Sequence, residues 1–203
     1  LAVYMLRLLP EFADANVVRS RTPEDWEKSD VVVDVSGKYD GQKFFDHHQR
    51  EFMETFNDDF KTKLSSAGLV YKHFGREIIK SILSDVSLSD QDLQSLYLKG
   101  YKQFIESLDA NDNGISKYDV DELNVKPRFS DTNITIPGVI SGFNPAWNGD
   151  SSAAKYDEQF FKASDFIGTI FVRLIVGYGK SWLPAKTLVC AAVNSRFSVD
   201  KSG

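Results

Sequence analysis

The sequence predicts an α/β fold: a mostly parallel sheet flanked by helices, with a further helical segment towards the C-terminus. Three observations lead to this. The run Val31-Val32-Val33 is continuously apolar and ends in Asp34, the pattern of a strand buried on both faces, as strands in parallel sheets are. A second short apolar run, Lys43-Phe44-Phe45, ends in Asp46-His47-His48. Long segments of helical periodicity follow both.

In chain order, Leu1 to Leu9 reads as the tail of a buried helix closed by Pro10, which cannot continue one. Ala15 to Arg19 is a short strand candidate. Thr22-Pro23-Glu24-Asp25-Trp26 has an N-cap residue, proline at the first helical position and acidic residues in the first turn, the marks of a short helix. Val31 to Val35 is the main strand, and a loop containing Gly37 and Gly41 leads to the strand before the Asp-His-His triplet. Ser65-Ser66 starts a helix through Leu83. Leu93, Leu96, Tyr97, Tyr101, Phe104, Ile105 and Leu108 recur at helical spacing, with Gly114 as terminator. Residues 124 to 150 are rich in Asn, Pro, Gly and Ser and read as a long irregular connection. Tyr156 to Val176 is helical again, and Leu183-Pro184-Ala185 opens another helix through Val193.

Composition narrows the class. The 203 residues suit a single domain over 1–203, with 42% hydrophobic and 26% charged residues, the balance of a soluble globular chain. A net charge of −5 argues against a protein that coats nucleic acid nonspecifically. It suits an enzyme that handles phosphate esters through bound cations, because such a site needs clustered carboxylates. Cys190 is the only cysteine, which excludes a disulfide framework and a cysteine zinc site and fits a reduced intracellular setting. The apolar stretch Ile167 to Val176 is interrupted by Arg173 and falls short of the roughly twenty residues of a membrane span, so no membrane partner is expected. Both ends read as cut, in a helix at Leu1 and after a turn-like stretch at Gly203.

Chemistry concentrates in the two strand ends. In sheets of this kind, ligand sites lie beyond the carboxyl ends of strands, where Asp34 and the triplet both fall. Two imidazoles with carboxylates suit a divalent cation such as Mn²⁺; a solvated turn with incidental histidines is the plainer alternative. Asp34 at the end of an all-valine run would be costly without a cation or hydrogen-bond donors. The segment Asp109-Ala110-Asn111-Asp112-Asn113-Gly114 superficially resembles a calcium loop, but Val120 stands where such a loop carries its last glutamate. Asp109 and Asp112 can share one helix side, or form an ordinary polar helix end. Arg50, Lys61 and Lys63 are candidate phosphate contacts, the lysines preceding a helix N-terminus able to receive an anion. His73 reads as a core or interface histidine. Trp147, Trp182 and Phe143 could stack on single-stranded bases or pin a long loop, and Cys190 reads as a small core residue.

The segments VVVDVSGKYD, FFDHHQR, TKLSSAGLVYKHFG, DANDNGISKY, NPAWN at 144–148 and SWLPA at 181–185 closely resemble the eukaryotic melanocyte-proliferating-gene family, its fungal members above all. That family looks like a branch of the DHH phosphoesterases, so the resemblance implies a DHH-type domain continued by a C-terminal domain. It implies that Asp34 and His47 are metal ligands, with Asp112 or Asp109 as a further one and Asp112 favoured. His48 would reach the substrate phosphate, with Asp46 supporting the pair. Two Mn²⁺ or Mg²⁺ ions and hydrolysis of single-stranded RNA from 3′ to 5′, in nucleus or mitochondrion, are also implied. The family's first metal motif, a His-rich segment ending in Asp-Glu, would lie before Leu1, so this chain is expected to hold an incomplete site. Two other readings stand beside the exonuclease: a phosphohydrolase for dinucleotides or polyphosphate, and a binding or scaffold protein with a degenerate site.

Overall fold

A computed structural model describes residues 1–118 and 128–199. Among them the chain is mostly helical, with one small parallel sheet. Helix α1 (Ala2–Arg7) is followed by a 3₁₀ turn at Pro10–Phe12, helix α2 (Pro23–Lys28), strands β1 (Val32–Val33) and β2 (Phe44–Phe45), and helix α3 (Ser66–Ile82). Next come α4 (Asp90–Gly100), a π-helical turn (Tyr101–Ile105) and α5 (Glu106–Asp112). A 3₁₀ turn at Thr132–Ile134 and α6 (Ile136–Ser141) precede α7 (Ala153–Gly177), a second π-helical turn (Tyr178–Trp182) and α8 (Leu183–Val199). Among the described residues, no helix is long and apolar enough to cross a membrane.

Helix α3 is the centre of the core. Its Leu69, Val70, Tyr71, Ile78 and Ile79 are fully buried, as expected for an apolar stripe at helical spacing. It packs on α1, α4 and α7. Ser65 caps it, accepting from the Gly68 N–H at 3.3 Å, in the role the sequence assigns to that Ser pair. Aromatic rings fill the space between α3, α4 and the loop before α3. Phe56 stacks on Tyr101 at 3.7 Å, and the Tyr71 hydroxyl donates to the Tyr97 carbonyl at 3.0 Å. Each such buried ring or aliphatic side chain contributes about 1.5–3 kcal/mol.

The sheet departs from expectation. It has two strands, paired in parallel with Val32 opposite Phe44 and Val33 opposite Phe45. The expected strand Val31–Val35 is therefore shorter: Asp34 turns the backbone into the left-handed region at φ 66°, and Val35 is 37% exposed. Ala15–Arg19 forms no strand; Val18 is exposed and Arg19 instead pairs with Asp157 at 2.7 Å. No other strand lies alongside it to complete its backbone hydrogen bonds among the described residues. Apolar runs this short cannot separate strand from buried coil.

Two helix starts fall where expected but differ in detail. Thr22 precedes α2, yet its hydroxyl donates to the Asp25 side chain at 2.8 Å rather than capping the backbone. A helix begins at Leu183 as expected, but without a break before it, because α7, the π turn and α8 are continuous. The Leu183 N–H reaches back to the Tyr178 carbonyl, and this wider turn accommodates Pro184, which has no N–H to offer. The connection expected over 124–150 includes the short helix α6 and otherwise irregular backbone in its described part; residues 119–127 lie outside the described residues.

Candidate metal centre

The parallel pairing of β1 and β2 delivers Asp34 and Asp46-His47-His48 to one sheet edge. The ladder runs on past the strands, with the Asp34 N–H donating to the Phe45 carbonyl at 3.4 Å. Asp34, Asp46, His47 and His48 each offer an atom within 4.8 Å of the others, a cluster able to hold a metal ion. Asp112 enters from the end of α5, where Gly114 at φ 68° ends the helix as expected. Its Oδ2 lies 3.2 Å from His47 Nε2, and Asp34 Oδ1 lies 3.7 Å from the same nitrogen.

The members of this cluster are held differently. Asp46 is 1% exposed, and its oxygens are fully engaged. Oδ2 accepts from the Gly37 N–H at 2.6 Å. Oδ1 accepts from the N–H groups of His47 at 2.7 Å and His48 at 3.2 Å, and from His48 Nδ1 at 2.6 Å. Burial pushes the Asp46 carboxyl upward, but these donors outweigh it and hold it below the ordinary carboxylate value. Asp46 therefore organises the loop and the His48 ring, with Oδ1 taken by three donors and Oδ2 by the Gly37 N–H.

His48 is raised above an ordinary histidine, chiefly by its bond to Asp46, with burial opposing and Asp34 and Asp112 adding. Its side chain is 61% exposed. Fixing Nδ1 on a carboxylate leaves Nε2 as the ring atom open to a ligand.

Asp34 is the one described non-glycine residue with positive φ, a conformation that costs about 1–2 kcal/mol. Burial raises its carboxyl, Ser66 Oγ opposes by donating at 3.1 Å, and Asp112 raises it further. His47 is 5% exposed, and its Nδ1 is buried without a partner among the described residues. The Leu1 nitrogen is buried and within electrostatic reach of Asp34 and Asp112. The backbone thus enters α1 beside the same two carboxylates.

These observations meet the requirements of a divalent cation. One imidazole nitrogen and two carboxylate oxygens converge, a mixed nitrogen and oxygen donor set able to hold a metal ion. A strained backbone aims one of the oxygens, and the neighbouring Asp112 carboxylate adds to the raising of the Asp34 carboxyl.

The remaining expected residues are placed elsewhere. Asp109 is fully buried and bonded to Ser65 and Tyr101. Burial raises its carboxyl to about 7. Arg50 and Lys61 are exposed and make no hydrogen bond or ion pair among the described residues. Lys63 lies over the Phe52 ring at 5.5 Å. His73 sits among Tyr39, Phe45 and Phe74 and bonds the Tyr39 hydroxyl at 2.8 Å. Trp147 is 95% exposed, so it does not pin its loop, and Cys190 is exposed on α8 rather than in the core. Sequence reasoning did not find Ser66, Tyr101 or Gly37 as contacts of the site carboxylates. Nor did it find Gln49, whose buried amide atoms lack partners among the described residues.

A family model named for MYG1 exonucleases, described as an uncharacterised protein family (UPF0160), matches residues 1–203. A MYG1 protein of Saccharomyces cerevisiae is 63% identical over all of this chain and 60% of its own length. One of Schizosaccharomyces pombe is 53% identical over 95% of this chain and 59% of its own length. The human MYG1 exonuclease is 42% identical over all of this chain and 54% of its own length. The chain thus spans somewhat more than half the length of the relatives it matches. No solved structure matches it.

Proposed function

Because the chain belongs to the MYG1 exonuclease family over its whole length, we propose that it carries part of the active site of a divalent-metal-dependent exoribonuclease. The observation that carries this reading is the convergence of Asp34, His47 and Asp112 at one sheet edge. The relatives' name, exonuclease, supplies the reaction class. The motif resemblance to DHH phosphoesterases supplies the rest: Mn²⁺ or Mg²⁺ as the cofactor, single-stranded RNA as the substrate and 3′-to-5′ polarity.

In this reading Asp34, His47 and Asp112 hold the cation. A bound divalent ion would lower the pKa of a water and offset charge on the attacked phosphate. His48, raised in pKa and half open to solvent, presents Nε2–H to a phosphate oxygen. Asp46 fixes the ring for that task and, through its three backbone donors, keeps the two histidines in register. Arg50, Lys61 and Lys63 act as mobile cations that meet the sugar-phosphate chain. A segment joined before Leu1 would enter beside Asp34 and Asp112, so further ligands from it belong to the complete site.

The test uses the full-length native protein with 5′-labelled single-stranded RNA and Mn²⁺. Asp34→Ala and His47→Ala are each expected to abolish shortening of the strand, and EDTA to abolish it in the wild type. Wild-type turnover in either variant sinks the metal role. Cleavage of a dinucleotide with no shortening of the RNA replaces the exonuclease reading by a small-substrate phosphohydrolase.

A further inference from the structure

Asp109 is as buried as any apolar core residue, yet it is a carboxylate one helical turn from Asp112. Tyr101 donates to Oδ2 at 3.0 Å, and the Ser65 N–H and hydroxyl donate to Oδ1 at 3.0 and 2.7 Å. Its place near the cluster, with both oxygens already taken, calls for a role other than ligation.

The helix geometry supplies one. Tyr101 and Asp109 are 8 residues apart. At about 100° per residue, an unbroken α-helix would set them about 80° apart around the axis. The π-helical turn Tyr101–Ile105 absorbs one residue and reduces the separation to about 20°. Both side chains then face the start of α3. There Gly68 leaves the space they need, since a Cβ on it would overlap the Asp109 carboxylate.

We propose that Asp109, held by Tyr101 and Ser65 and aimed by the π turn, is a positioning residue that fixes the separation of Asp112 and Asp34 at the cation cluster. It rests on the metal reading above. The path is short and continuous: Asp112 rides on α5 with Asp109, Asp109 grips Ser65, and the next residue, Ser66, donates to Asp34 Oδ1 at 3.1 Å. Asn113 adds a second fastening, donating from Nδ2 to the carbonyls of Lys63 and Asp109, both at 2.9 Å. Sliding α5 against α3 would carry Asp112 away from His47 and Asp34 together. A metal site tolerates only about 0.2 Å of such displacement in its ligand distances.

The test is Mn²⁺ binding by the full-length native protein, read by calorimetry and by electron paramagnetic resonance, with no substrate present. Tyr101→Phe removes one donor to Asp109 and changes no charge. It is expected to weaken Mn²⁺ binding about tenfold, the effect of losing an outer-shell partner, while the metal-free protein stays folded and unfolds in a single cooperative transition. Gly68→Ala displaces the carboxylate and should weaken binding further. Asp112→Asn is the reference that loses the ion. If Asp112→Asn loses Mn²⁺ while Tyr101→Phe and Gly68→Ala keep wild-type affinity, the positioning role is overturned and the metal reading survives. If Asp112→Asn binds as wild type does, the metal reading falls and this proposal falls with it.

Discussion

Asp109 makes stability depend on pH in a direction opposite to that of most carboxylates. Its carboxyl rises from 3.8 to about 7 on folding, first because it is buried and despite the donors from Ser65 and Tyr101. A group whose folded pKa is raised favours the protonated folded state. Its stabilising contribution is complete below the unfolded value and is lost as pH rises towards the folded one. With these two values, linkage gives about 2.5 kcal/mol more stability from this group at about pH 5 than at about pH 8. Asp109→Asn keeps the shape and most hydrogen bonds and cannot titrate, so it isolates the effect. Urea unfolding of both proteins in EDTA at the two pH values supplies the four free energies needed. The wild type is expected to lose about 2.5 kcal/mol relative to the variant on going from the lower to the higher pH. A relative change under about 0.5 kcal/mol, or one of opposite sign, would refute a neutral buried Asp109.

Other perturbations separate the jobs within the cluster. Asp46→Ala strands the N–H groups of Gly37, His47 and His48 and should cost about 2–4 kcal/mol in denaturant unfolding. Because the Asp46 carboxyl is held low, its contribution is present at neutral pH and disappears as pH falls through its folded value. That acid-side loss should be absent from the variant. Asp34→Gly relieves the left-handed backbone at φ 66° and should raise metal-free stability by about 1 kcal/mol while abolishing Mn²⁺ binding. A less stable variant would show that the Ser66 bond outweighs the strain. His48→Asn leaves the cation donors in place, so Mn²⁺ affinity should stay within about threefold while turnover on RNA falls; an equal loss of both would move His48 into the ligand set.

The residues that carry the site were legible in the sequence because their types are rare and their positions are strand ends. Asp34 follows an apolar run, and the only adjacent histidine pair follows another. The start of α3 was legible because the serine pair sits just before a helical stripe. The extent of the sheet was not, since the turn at Asp34 depends on a left-handed backbone angle that an apolar run does not announce, although aspartate tolerates it better than most residues. The π turn at Tyr101–Ile105 was also hidden: its apolar residues fit an ordinary helix, and one absorbed residue leaves little trace in periodicity. Asp109 and Asp112 could not be told apart by spacing for the same reason. The register shift turns Asp109 into the core, while Asp112 stays at the surface with its side chain 53% exposed.

The division of labour inside the Asp-His-His triplet follows from this packing. A carboxylate beside two histidines has the chemistry of a ligand, yet Asp46 is buried and both its oxygens already accept, Oδ1 from His47 and His48 and Oδ2 from the Gly37 N–H. His47, by contrast, points Nε2 at two carboxylates, and among the described residues no lysine or arginine pairs with them; only the histidines and the Ser66 hydroxyl offset their charge. Asp34 adds backbone strain, and the His47 Nδ1 adds an unmet polar atom. Each of these features lowers the stability of the metal-free fold, and they coincide within one sheet edge. A divalent cation between Asp34, His47 and Asp112 would offset the charge repulsion directly. A structural turn with incidental histidines would account for none of them.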